Sequence, residues 1–77
     1  MNVKKKSWMS IKTENGNLLI KAPDGRIFYT KPDGEYIRGV QDLEKEWNWA
    51  IQEWNAPEKE LDENLVNIVE KQLQYFA

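Results

Sequence analysis

Residues 15–34 read NGNLLIKAPDGRIFYTKPDG. Two apolar runs, Leu18–Ala22 and Arg26–Thr30, lie between three turn signals: Asn15-Gly16, Pro23-Asp24-Gly25 and Pro32-Asp33-Gly34. Short runs rich in Leu, Ile, Phe and Tyr, bounded by Gly, Pro, Asn and Asp, read as strands joined by tight turns. Pro presets φ for the first turn position, and Gly accepts the left-handed position that closes it. The two Pro-Asp-Gly turns repeat nine residues apart, and a three-residue loop with a bulge fits both. Asn-Gly is the favoured pair of a two-residue type I′ loop, which would set Ile11 opposite Ile20, Met9 opposite Ala22 and Thr13 opposite Leu18.

Working outward, Ser7–Thr13 supplies a strand before this stretch and Glu35–Arg38 one after it. The expected registers put Ile20, Phe28 and Tyr36 on the core face, with Leu19, Ile27, Tyr29 and Ile37 beside Trp8 on the other. Apolar residues on both faces leave the registers of the last two hairpins open.

Beyond Gly39 the period changes. Val40, Leu43, Trp47, Ala50, Ile51 and Trp54 form one stripe of an amphipathic helix. Asn55-Ala56-Pro57 ends it, and Pro57 suits the first turn of a second helix, whose positive end Glu58, Glu60, Asp62 and Glu63 complement. The second stripe, Leu61, Leu65, Val66, Ile68, Val69, Leu73, Tyr75 and Phe76, is wide enough for two neighbours, which are expected to be the sheet and the first helix. The fold expected is α+β: a three- to four-stranded antiparallel β-meander (1–39) followed by two α-helices packed on one face (40–77), as a single domain.

Composition narrows the function. Four Trp, three Tyr and two Phe with 40% apolar residues suit a folded chain. There is no His and no Cys. The commonest general base, the commonest metal ligand and the best nucleophile are thus missing, and a disulfide or thiolate zinc site cannot form. Neither catalysis nor a cofactor is expected, and Asp62-Glu63-Asn64 lacks the spacing of a calcium loop. No stretch reads as a secretory leader or reaches the roughly 20 apolar residues of a membrane span, so a cytoplasmic location is expected. Nine Lys to two Arg, with seven Asn, hints at an AT-rich genome such as that of a phage or mobile element.

Charge divides the chain. Residues 1–39 carry eight Lys and Arg against four Asp and Glu, and residues 40–77 carry three against nine. On the first helix Trp49 falls opposite the apolar stripe, among Asp42, Lys45, Glu46 and Glu53. An exposed indole amid carboxylates suits a basic protein surface or a cationic side chain. The leading expectation is therefore a non-catalytic protein-binding module, an adaptor or inhibitor. One alternative is a nucleic-acid-binding module using Lys4, Lys5, Lys6, Trp8, Lys12, Lys21 and Tyr29 on a basic, aromatic sheet face. Another is a structural homodimer held by the wide second stripe. A weaker one is mimicry of a phosphate backbone by the acidic helices.

Overall fold

The computed structural model describes residues 7–37, 39, 42–55 and 57–76. Strands β1 (Met9–Lys12), β2 (Leu18–Lys21) and β3 (Ile27–Thr30) form an antiparallel meander. Helix α1 (Leu43–Trp54), strand β4 (Lys59–Glu60) and helix α2 (Glu63–Phe76) follow. The sheet order is β3-β2-β1-β4, an α+β fold.

The three hairpins are built alike. The Thr13, Ala22 and Lys31 amides donate to the Asn17, Arg26 and Glu35 carbonyls, and the Gly16, Gly25 and Gly34 amides to the Thr13, Ala22 and Lys31 carbonyls. Each loop thus has three residues and closes on a glycine with φ near +90° (+89, +94 and +93°). The two Pro-Asp-Gly loops match expectation. Asn15-Gly16 does not form a two-residue loop; Glu14 joins it, and Ile11 pairs with Leu19 instead of Ile20. Part of the cause is local: the Thr13 hydroxyl binds Asn15 Oδ1 and accepts from the Asn17 amide at 3.1 Å, which favours the longer loop.

This one-residue change fixes the faces. Side chains alternate along a strand, and a slip of one moves every side chain to the other face. With three odd-length loops, parity is kept across the meander. Odd-numbered Met9, Ile11, Leu19, Ile27 and Tyr29 pack with Leu43, Trp47, Ala50 and Ile51 of α1. Even-numbered Trp8, Leu18, Ile20, Phe28 and Tyr36 pack with Leu61 and with Leu65, Val66, Val69 and Leu73 of α2. The helices therefore cover opposite faces of the sheet, not one face as the sequence suggests, and α2 does not rest on α1. Apolar residues on both strand faces follow directly, because each face has its own helix. Trp8 sits on the Phe28 face, stacked at 6.5 Å between centroids, not beside Leu19 and Tyr29.

Two further expectations change. Glu35–Arg38 does not supply the fourth strand; Tyr36 makes a single bridge to Thr30, and Arg38 lies outside the described residues. The fourth strand is β4 on the far side of β1, pairing Glu60 with Met9 and Lys59 with Ser10. It carries the chain past the sheet edge, from the α1 face to the α2 face, and Leu61 closes the crossing by donating its amide to the Trp8 carbonyl at 2.9 Å. Pro57 and Glu58 thus precede a strand instead of opening a helix. Helix α2 starts at Glu63, where Asp62 Oδ1 accepts from the Asn64 amide at 2.9 Å. Val40 and the side chains of Trp54 and Phe76 lie outside the described residues.

The α2 face is tied down by polar contacts as well. Gln72 Nε2 donates to the Gly34 carbonyl at 2.7 Å, and Gln72 Oε1 accepts from the Tyr36 amide at 3.0 Å. Ile68 and Leu65 lie directly over Gly34, where a Cβ would meet Ile68 Cγ2 at 3.0 Å. Phe28 and Tyr36 stack in parallel at 5.6 Å.

Candidate functional site

Helix α1 presents Trp47 and Ala50 to the sheet, and both are buried. A residue two positions from Trp47 points about 200° away around a helix, which turns Trp49 outward. Trp49 is 46% exposed. It forms a wall of a hollow of about 520 Å³ between α1 and the first hairpin, lined by Thr13, Glu14, Asn15, Leu19, Tyr29, Glu46, Trp49 and Ala50. Leu19 and Ala50 are its buried apolar residues, and Glu14 and Glu46 are exposed carboxylates. The lining includes no Lys or Arg among the described residues.

The far side of the hollow is held by Tyr29. Asn17 Nδ2 donates to its hydroxyl at 2.8 Å, and Asn15 Nδ2 does so at 3.2 Å. The Asn17 bond is the main cause holding the phenol below its usual value, against burial and the nearby Glu46 carboxylate. This fixes the ring of β3 to the loop after β1, so the hollow has a rigid rim on the sheet side.

Of the residues expected around the indole, the structure brings only Glu46 into the hollow with Trp49. Asp42 instead caps α1, its Oδ1 accepting from the Lys45 amide at 3.2 Å. Lys45 and Glu53 are exposed on α1 but do not line the hollow. Thr13, Glu14, Asn15 and Leu19 escaped the sequence reading. They reach the site because the Asn15-Gly16 loop carries one more residue than its dipeptide signals.

The residues proposed for nucleic acid are divided between two faces. Trp8 belongs to the α2 face, as does Lys12, which pairs with Leu18. Tyr29 belongs to the α1 face, as does Lys21, whose Nζ sits 4.5 Å from the centroid of the Trp47 ring. Lys4, Lys5 and Lys6 lie outside the described residues.

No protein-family model, curated protein or solved structure matches the chain. Among the described residues no group of His, Cys, Asp or Glu could hold a metal ion, and no helix is long and apolar enough to cross a membrane.

Proposed function

We propose that this chain is a non-catalytic protein-binding module, an adaptor or small inhibitor, and that it docks through the surface around Trp49. The observation that carries this reading is a large indole, 46% exposed, walling a hollow between α1 and the first hairpin. Trp, Tyr and Arg dominate binding energy at interfaces, chiefly where they line pockets that exclude water on contact. Trp49 and Tyr29 stand on a helix and a strand held in place by the core, so little ordering is needed on docking. The test is affinity capture from the native host with the wild-type chain and with Trp49→Ala. Loss of a specific partner with the melting temperature kept supports the reading; a partner retained by Trp49→Ala removes it.

Self-association through α2 is a second reading. Its support is that two large apolar side chains of that helix, Ile68 and Tyr75, are 41% and 88% exposed. Sedimentation at several concentrations decides it, and a monomer throughout ends it. A nucleic-acid platform has less support, because Trp8 and Lys12 are separated by the sheet from Lys21 and Tyr29.

A further inference from the structure

The chemistry of the hollow narrows what a partner presents to it. Resting on the protein-binding reading, we propose that the hollow seats an arginine side chain of the partner. Leu19 and Ala50 form the buried floor of the hollow, and the aromatic side chains of Trp49, 46% exposed, and Tyr29 line it. Glu14 and Glu46 supply two carboxylates with no Lys or Arg among the described lining residues. A phosphate or a carboxylate-bearing segment would be repelled here, and a purely apolar side chain would leave the rim charges unanswered.

Among cations, arginine fits this donor and acceptor set best. Its guanidinium is planar, stacks on aromatic faces and is weakly hydrated, whereas the lysine ammonium is a compact, strongly hydrated point charge. Its five N–H donors can serve two carboxylates from one position. A quaternary ammonium prefers a cage of several aromatic faces, and here Trp49 and Tyr29 are the lining aromatics, with the Tyr29 hydroxyl engaged by Asn15 and Asn17.

The experiment is a titration of the full chain with short, otherwise neutral peptides carrying one Arg, one citrulline or one Lys, followed by amide and indole N–H shifts in NMR. The Arg peptide should move the Trp49 indole and the Glu14, Tyr29 and Glu46 signals together. The citrulline peptide, neutral but of the same shape, should bind at least about tenfold more weakly, as should the Arg peptide to the Glu14→Gln/Glu46→Gln chain. Equal binding of Arg and citrulline, tighter or equal binding of Lys, or shifts centred away from the hollow would overturn the proposal. So would concentration-dependent shifts at the same signals without peptide, which would assign the hollow to a second copy. Failure here stays distinct from failure of the protein-binding reading. If Trp49→Ala loses its partner while Glu14→Gln/Glu46→Gln retains it, docking stands and the arginine does not.

Discussion

The two faces of this sheet are packed in different ways. On the α2 face, Trp8, Phe28 and Tyr36 stack in series over Ile20, Leu61 and Val69, and Gln72 ties the helix to the turn at Gly34. On the α1 face, Trp47 fills the centre with Ile11, Leu19 and Ala50, but a hollow remains between the helix and the first hairpin. One face is closed by side chains and hydrogen bonds, and the other leaves a hollow with an indole beside it. Two Trp residues two positions apart on α1 show the division: Trp47 is 1% exposed and Trp49 46%. Burial and exposure thus lie two positions apart on one helix.

The largest effect expected from breaking this division is at Trp47. Trp47→Ala should cost about 3–5 kcal/mol, enough to unfold a chain of this size, as the loss of a buried aromatic leaves a cavity. Chemical denaturation reads it; a cost below about 1 kcal/mol would show that the α1 core is loosely packed. Next comes the clamp on the other face. Gln72→Ala strands the Tyr36 amide and the Gly34 carbonyl, costing about 1–3 kcal/mol, measured in the same way.

A finer comparison uses the turns. Gly25 and Gly34 share positive φ, so alanine at either should cost about 1–2 kcal/mol. Gly34→Ala should cost more than Gly25→Ala, because its Cβ meets Ile68 and the other meets open space. The excess should vanish when Ile68→Ala is added, a double-mutant cycle read by thermal melts. By contrast Trp49→Ala should cost about 1–2 kcal/mol, less than Trp47→Ala, since about half of its surface already meets solvent; a loss near that of Trp47→Ala would place the ring in the core.

The smallest effect separates the faces by titration. Tyr29 is held below the usual phenol value, chiefly by the Asn17 amide, and burial lifts Tyr36 above it. Absorbance of phenolate on raising pH should show Tyr29 ionising before Tyr36, with Tyr29→Phe removing the earlier component. The signs of the stability terms are opposite. Tyr29 binds its proton less tightly folded than unfolded, so its contribution grows as pH rises through its lowered value. Tyr36 binds its proton more tightly when folded, so its contribution falls as pH passes the unfolded value.

Much of this arrangement was legible in the sequence, and the misses have particular causes. The strands around Leu19 and Phe28, both Pro-Asp-Gly turns, the α1 stripe and the outward aim of Trp49 follow from period and turn chemistry. Strand β4 does not. Lys59-Glu60 is short, charged and exposed, and becomes a strand only by pairing with β1, 49 residues away along the chain between Ser10 and Lys59. Pro57 reads as a helix start for a sound local reason, yet the chain must first pass the sheet edge. The covering of opposite faces is equally non-local. The width of the α2 stripe suggested two neighbours, but Ile68 answers to the Gly34 turn and Tyr75 to solvent. The hollow was missed because its sheet-side rim depends on the length of a single loop.

That loop length has a consequence for anyone altering the protein. Because every turn of the meander spans an odd count, even and odd residue numbers double as labels for the two helices. A residue added at a tip would renumber the strand beyond it without turning any side chain, because cross-strand partners share a face whatever the length of the loop between them. Only a slip of one in the pairing itself would hand Leu19 and Ile20 to each other's helices. Grafted peptides should therefore be sorted by what lies over each tip: tolerated at Gly25, which faces open space, and costly at Gly34, which lies under Ile68.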